Sequence, residues 1–111
     1  MKDFDTPFKK QIETVQKQNK VLETIKIDSL LHEILESIRE EFLTASKKYP
    51  PFHSMHEGYA VIFEELDELK EAIWKSKGVR LNPVAAKEAI QVAAMAVRFI
   101  LDLEGEKNER S

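Results

Sequence analysis

The sequence predicts an all-α protein, an antiparallel bundle of about four helices that is completed by oligomerisation. Apolar residues recur three and four positions apart through most of the chain, and no stretch alternates apolar and polar residues as a half-buried strand would. The three glycines and four prolines fall at the ends of the predicted segments, except for Gly58. A chain of 111 residues is one domain, and a domain of this size buries only about two thirds of its unfolded surface, which favours association between copies.

The composition excludes several classes of protein. Seventeen basic and twenty acidic residues leave a net charge of −3, so we expect no nucleic-acid partner. The sequence contains no apolar run of about 18 residues, so we expect no membrane partner. The absence of cysteine excludes disulfides, zinc-cysteine sites and thiol catalysis, and it fits a cytoplasmic protein.

The first predicted helix runs from about residue 7 to residue 25, with Thr6 and Pro7 suited to its start. Its apolar stripe is narrow and is interrupted near Asn19. The stripe consists of Phe8, Ile12, Val15, Leu22 and Ile25. A thin stripe of this kind suits packing against another chain, so we interpret residues 1–28 as an N-terminal extension that serves assembly.

The second predicted helix runs from about residue 29 to residue 49. Asp28 or Ser29 can cap its start, and the two prolines that follow Tyr49 end it. Its apolar positions repeat at helical spacing, and charged residues occupy the opposite face. This segment opens the main helical domain, which we assign to residues 29–105.

Two further helices complete the predicted domain. The third runs from about residue 56 to residue 77, with Ser54 as its cap and Gly78 at its end. The fourth begins at Asn82 and Pro83 and ends near residue 105. Because the fourth segment is apolar almost all round, we expect it to be buried on all sides. Residues 106–111 are expected to form a disordered tail.

Acidic side chains lie on the apolar sides of these last two helices. Glu65 lies among apolar neighbours on the third helix with Glu68 one turn away, and Glu88 has the same relation to Gln91 on the fourth. A buried carboxylate requires a proton, a cationic partner or a metal ion, and oxygen ligands of this kind suit Mg²⁺ or Mn²⁺. Two alternatives stay open, namely a solvated acidic face and pairing of Glu88 with a basic side chain of a neighbouring chain.

These residues carry a resemblance to a known family. The stretch EELDEL at 64–69 resembles the EExxE motif of the MazG-like all-α nucleoside triphosphate pyrophosphohydrolases, and the stretch EAIQ at 88–91 resembles their ExxD motif. The resemblance spans residues 53–103, about half of the chain. It implies a helical bundle that forms homodimers or homotetramers and uses Mg²⁺ to hydrolyse a nucleoside or deoxynucleoside triphosphate to the monophosphate and pyrophosphate.

The resemblance also implies roles for individual residues. It makes Glu65, Glu68 and Glu88 metal ligands, and it makes Glu64 the catalytic residue, which would either help hold a second metal ion or orient the attacking water. Gln91 would be the fourth ligand, but it stands where the family has Asp, which removes a charge and weakens a Mg²⁺ site. The alternative is therefore a non-catalytic helical oligomer or adaptor that keeps the fold with a degraded metal site.

Four more side chains are candidates for contacts with the substrate. These are His56, Trp74, Lys87 and Arg98. His56 lies where a loop meets a helix and could approach a phosphate, whereas Trp74 could stack on a base. Each has a structural alternative, since Trp74 could anchor an interface and Arg98 could pair with a carboxylate either inside the bundle or across an interface with a neighbouring chain.

Overall fold

The computed structural model describes residues 2–104, and side chains from residue 8 onward. It contains three helices: α1 (Lys2–Lys48), α2 (Met55–Lys75) and α3 (Pro83–Asp102). No strand occurs within these residues, so the all-α prediction is confirmed. The tail predicted at residues 106–111 lies outside the described part of the chain.

The prediction of two separate N-terminal helices is wrong. One helix, α1, runs without interruption through Asp28 and Ser29, and it begins at Lys2 rather than at Pro7. Aspartate and serine favour helix starts, but inside a helix each costs only a few tenths of a kcal/mol, whereas proline or glycine would cost about 1–3 kcal/mol. Neither proline nor glycine occurs between Pro7 and Pro50, so nothing in that interval is strong enough to break the helix.

The described chain divides into two compact units, with the boundary between Glu33 and Ile34. The N-terminal unit is a stretch of α1, and its large apolar side chains are exposed; Ile12 is 42% exposed and Phe8 is 66% exposed. The prediction that residues 1–28 serve assembly stays a prediction.

The second unit contains the end of α1, together with α2 and α3. Its buried centre is small and consists of Ala45, Phe52, Ala94 and Met95. Partly buried apolar side chains surround this centre; they are Ile38, Phe42, Val61, Ile62, Phe99 and Leu103. The expectation that the last helix is buried on all sides fails within one chain, because Val84 is 60% exposed and Ile100 is 66% exposed. α3 is apolar on more faces than two neighbouring helices cover.

The starts of α2 and α3 follow the predicted capping pattern. The Ser54 hydroxyl accepts a hydrogen bond from the Glu57 backbone N–H at 3.1 Å, and the Asn82 side chain accepts one from Ala85 at 2.8 Å. The Glu57 carboxylate in turn accepts from the backbone N–H of His53 at 3.1 Å. α2 ends at Lys75, slightly before the predicted end. The caps fix the residue at which each helix begins. They therefore fix the position of each side chain along the axes of α2 and α3.

A buried ion pair attaches the segment after α1 to α3. The Arg98 guanidinium donates to the backbone carbonyl of Pro50 at 2.9 Å and lies 3.5 Å from the Asp102 carboxylate. Asp102 also accepts from the backbone N–H of Phe52 at 3.0 Å, and the guanidinium carbon lies 4.5 Å from the centre of the Phe52 ring. These contacts hold the connection between α1 and α2 against the C-terminal half of α3.

Helices α2 and α3 also approach closely at Gly58, which is a buried residue of α2. A Cβ atom built on Gly58 would lie 2.6 Å from the Phe99 ring and 3.2 Å from the Phe52 ring. Glycine is therefore required here by packing rather than by a turn. This explains why Gly58 stands inside a helix, away from the other helix-breaking residues.

Candidate metal centre

Three carboxylates from two helices converge in the second unit. α2 supplies Glu65 and Glu68, one helical turn apart, and α3 supplies Glu88. One oxygen of each carboxylate lies within 4.8 Å of an oxygen of the other two. Glu65 and Glu88 are partly buried, whereas Glu68 is exposed. Such a group of oxygen donors can hold a hard divalent cation.

Gln91 lies against two of these carboxylates. In the orientation that satisfies its amide, the side-chain nitrogen donates to Glu88 at 3.1 Å and to Glu65 at 3.0 Å. The same carboxamide, turned over, would present its oxygen to a cation held by the carboxylates. Gln91 can therefore stabilise the acidic cluster without a metal, or serve as a neutral ligand with one.

The carboxylates resist being charged together. Burial raises the pKa of Glu65, and the charges of Glu68 and Glu88 raise it further. Burial also raises the pKa of Glu88, and the neighbouring Glu68 adds to this effect, while Lys87 opposes it. Raised pKa values in a group of acids mark a place where a proton or a cation is favourable.

A cavity of about 540 Å³ adjoins the cluster. Glu64, Glu65 and Gln91 line it on one side. Its apolar wall is formed by Ala45, Phe52, Val61 and Met95. This volume lies within the range of about 300–1,000 Å³ that is typical of small-molecule sites. The cavity thus combines an apolar wall with an acidic edge.

One acidic residue of this site was not predicted from the sequence. Glu41 of α1 is partly buried and lines the same cavity, and its charge helps raise the pKa of both Glu65 and Glu88. Glu41 lies on the apolar side of its helix, three residues after Ile38 and four before Ala45. The criterion that identified Glu65, an acid on an apolar face, would have identified Glu41 as well.

The predicted substrate-contacting residues are dispersed. Arg98 lines the cavity, where it is 2% exposed and its Nε atom has no hydrogen-bond partner among the described residues. Lys87 is exposed next to Glu88 on α3. His56 and Trp74 are exposed at opposite ends of α2, and neither lines the cavity. The structural alternative for Arg98, a carboxylate partner inside the bundle, is present as its pair with Asp102.

His53 and His56, the two histidines near the start of α2, are not part of the group formed by Glu65, Glu68 and Glu88. His53 Nδ1 lies 3.3 Å from the Glu57 carboxylate. The pKa of Glu57 is lowered mainly by the hydrogen bond that it accepts from the His53 backbone N–H, and further by this contact with the His53 side chain. Among the side chains described, those of residues 8–104, the group that brings three metal-ligating side chains together is Glu65, Glu68 and Glu88. Within the same range, no helix has the length and apolar character needed to cross a bilayer.

Comparison with protein-family models, with curated proteins and with solved structures finds no match for this chain. The geometry of the acidic cluster and its cavity is therefore the basis on which a function can be argued.

Proposed function

We propose that this protein hydrolyses a nucleoside or deoxynucleoside triphosphate to the monophosphate and pyrophosphate, with Mg²⁺ or Mn²⁺ as its cofactor. The observation that carries the proposal is the convergence of Glu65, Glu68 and Glu88, of which Glu65 lines a cavity large enough for a small molecule. The resemblance of residues 64–69 and 88–91 to the MazG-like motifs supports the same reaction.

The electrostatics of the site support a metal-dependent reaction on a phosphoanhydride. Glu41 adds a fourth carboxylate to the three that converge, so the cavity edge would repel a bare triphosphate. A bound divalent cation would remove this repulsion, and it would supply charge neutralisation during phosphoryl transfer and activation of water. The donor set fits this cation, because carboxylate and amide oxygens are the ligands that Mg²⁺ prefers.

Each residue of the site then has a definite task. Glu65, Glu68 and Glu88 would hold the cation, and Gln91 could contribute its amide oxygen as a neutral ligand. Glu64, at the cavity edge beside Glu65, orients a water molecule towards the α-phosphorus and accepts its proton. The new bond joins the water oxygen to the α-phosphorus, and the bond between that phosphorus and the bridging oxygen breaks to release pyrophosphate.

The rest of the cavity would hold the nucleoside. Phe52, Val61 and Met95 offer apolar surface to a base or sugar, and Arg98 retains one buried donor, Nε, without a partner among the described residues. His56, Trp74 and Lys87 lie outside this wall, so we assign the first contacts with the nucleoside to the cavity residues.

Assembly and location follow from the same proposal. The exposed apolar residues of α3, among them Val84 and Ile100, would be covered in a homodimer or homotetramer. A triphosphate substrate places the protein in the cytoplasm, and the net charge of −3 agrees with a small-molecule substrate rather than nucleic acid.

A second candidate is a non-catalytic helical oligomer or adaptor. Gln91 favours it, because its amide can donate to Glu88 and Glu65 at once and so satisfy the cluster without a cation. The two candidates differ in one measurable property, the affinity of the cluster for a divalent ion.

The test is a calorimetric titration of Mg²⁺ and Mn²⁺ into the wild-type protein, Glu88→Gln and Glu71→Gln. Glu71 is an exposed acid on α2, so its substitution removes the same charge away from the cluster. The hydrolase proposal expects binding by the wild type and Glu71→Gln, loss of binding in Glu88→Gln, and release of pyrophosphate from at least one nucleoside triphosphate. Binding that survives in Glu88→Gln, or no binding at millimolar metal with a triphosphate present, would favour the non-catalytic candidate.

A further inference from the structure

The N-terminal unit carries an exposed apolar stripe with a regular repeat. Phe8, Ile12, Val15 and Leu22 lie on one side of α1 and are 42–66% exposed. Asn19 occupies the remaining position of the repeat, so the spacings along the stripe are four, three, four and three residues. A repeat of 3.5 residues is the pattern by which one helix winds around another.

The residue types at these positions favour two parallel strands. In heptad terms Ile12 and Asn19 take the a positions, and Phe8, Val15 and Leu22 take the d positions. Ile12 at a and Leu22 at d are the residue types typical of parallel dimers, whereas the other d positions hold Phe8 and Val15. An asparagine at a is costly against an apolar partner, but it can hydrogen-bond to an identical asparagine in the same layer. Asn19 therefore points to a second copy of this chain, parallel and in register.

The flanks of the stripe fit the same partner. In a parallel pair each g residue faces the e residue five positions later on the other chain, which pairs Gln11 with Gln16 and Gln18 with Glu23. Neither pair places like charges together. The lysines at positions 10, 17 and 20 lie on the side away from the stripe. Lys9 takes the e position after Phe8, and its counterpart five positions earlier on the other chain, residue 4, is uncharged. No g–e pair of this repeat therefore opposes self-association.

We propose that residues 8–22 of α1 form a parallel, in-register, two-stranded coiled coil with a second copy of this chain. The seam spans about 21 Å at 1.5 Å per residue, and the repeat ends beyond Leu22, where Lys26 would take the next a position. This seam is independent of the proposed hydrolase activity, and it is a different surface from the exposed apolar face of α3.

The cysteine-free chain allows a direct test by disulfide formation in the full-length protein. Leu22→Cys places a thiol at one end of the seam, and Val21→Cys places one on the adjacent outer position, where Val21 is 58% exposed compared with 57% for Leu22. In a parallel pair the two thiols introduced by Leu22→Cys meet, whereas in an antiparallel pair they would lie about 21 Å apart, beyond the roughly 7 Å limit between Cα atoms for a disulfide. We expect mild oxidation to convert most of Leu22→Cys, and little of Val21→Cys, to a covalent dimer.

A second substitution shows whether the seam itself brings the thiols together. In the Leu22→Cys background, Val15→Asp places a charge in the seam and should abolish cross-linking, whereas Val21→Asp makes the same chemical change outside it and should leave cross-linking unchanged. The comparison holds even if another face also joins the chains, because it measures the proximity of two named positions. Equal cross-linking of Leu22→Cys and Val21→Cys, absence of cross-linking, or cross-linking that survives Val15→Asp would overturn the proposal. Absence of cross-linking would direct the search to a different protein as the partner of the stripe.

Discussion

Arg98 and Asp102, one turn apart on α3, form an ion pair that is almost completely removed from solvent: their side chains are 3% and 0% exposed. Each partner also binds the backbone of the segment after α1, Arg98 at the Pro50 carbonyl and Asp102 at the Phe52 N–H. The pair thereby fixes Phe52, which forms part of the buried centre and of the cavity wall. A charged pair on a nearly apolar helix thus determines the path of the chain next to the site.

The first prediction concerns this pair. Arg98→Met leaves the Asp102 carboxylate buried without its cation, and we expect the free energy of unfolding to fall by about 3–5 kcal/mol, as measured by urea denaturation. The double variant Arg98→Met/Asp102→Asn removes both charges while keeping an oxygen for the Phe52 N–H, so it should be more stable than Arg98→Met alone. Equal instability of the single and double variants would show that the charges are not coupled.

Gly58 provides a prediction about packing. Alanine inside a helix is normally favoured over glycine by about 0.5–1 kcal/mol, but a Cβ at this position would meet the Phe99 and Phe52 rings. We therefore expect Gly58→Ala to destabilise the protein by about 1–3 kcal/mol. Gly78→Ala is the matched control, because the nearest atom to its added Cβ lies 4.0 Å away. That control should be neutral or slightly stabilising, and a Gly58→Ala variant of equal or higher stability would contradict the close approach of α2 and α3.

Glu65→Gln should make the protein more stable than the wild type when no divalent ion is present, and less stable than the wild type when Mg²⁺ is present. Without divalent ions it relieves repulsion from Glu68 and Glu88, and we expect stabilisation of about 0.5 kcal/mol, or roughly 2–4 °C in Tm. With Mg²⁺ present the wild type should gain stability through binding, and the variant should not. Thermal unfolding with and without Mg²⁺ measures both effects, and Glu71→Gln serves as the control. A metal-dependent rise in Tm that is equal in wild type and Glu65→Gln would exclude Glu65 as a ligand.

The raised pKa values give a pH dependence of defined sign. The folded protein holds protons on Glu65 and Glu88 more tightly than the usual pKa of 4.5 allows, so stability should fall as pH rises from that value through the raised pKa values. Glu57 has a lowered pKa, so its contribution to stability has the opposite dependence on pH. This contribution is lost as the pH falls below 4.5, outside the pH range in which Glu65 and Glu88 lose their protons. Urea denaturation in metal-free buffers of increasing pH checks the first effect, and the double variant Glu65→Gln/Glu88→Gln should flatten the curve above pH 4.5. An unchanged curve in that variant would show that these two acids do not control the dependence.

Gln91→Asp tests whether position 91 belongs to the metal site. An added carboxylate should tighten Mg²⁺ binding on the order of tenfold, which corresponds to about 1.4 kcal/mol. The same substitution removes the amide that can donate to Glu65 and Glu88, so the metal-free protein should become less stable. Calorimetry and metal-free thermal unfolding separate the two effects. A loss of stability with no gain in affinity would mean that Gln91 only satisfies the carboxylates.

Helix periodicity was sufficient to predict the part of the site that α2 and α3 provide. Periodicity places Glu65 and Glu88 on the apolar sides of their helices and Glu68 one turn from Glu65, and the capping residues Ser54 and Asn82 predict the helix starts. Their role as metal ligands stays a prediction. The continuity of α1 was not predicted, because a preference for helix starts was given too much weight at residues 28 and 29.

Other features depend on tertiary contacts that a pattern along one helix does not contain. The presence of Glu41 at the cavity depends on where α1 packs, although its place on an apolar face was visible in the sequence. The partner of Arg98 was left open between the core and a neighbouring chain, and it is Asp102 on the same helix. The exposure of Trp74 could not be inferred either, because a tryptophan at the edge of an apolar face can be covered or open.

The exposure of Trp74 determines what fluorescence can report about this protein. It is the only tryptophan, it is 73% exposed, and the Lys70 ammonium lies 5.8 Å from the centre of its ring. We therefore expect its emission in the folded chain to be close to that of an indole in water, and we expect unfolding to change it little. A blue shift or protection from a soluble quencher would instead reveal that a molecule has covered this end of α2. Intrinsic fluorescence thus measures occupancy of one surface, while circular dichroism measures the folding of the helices.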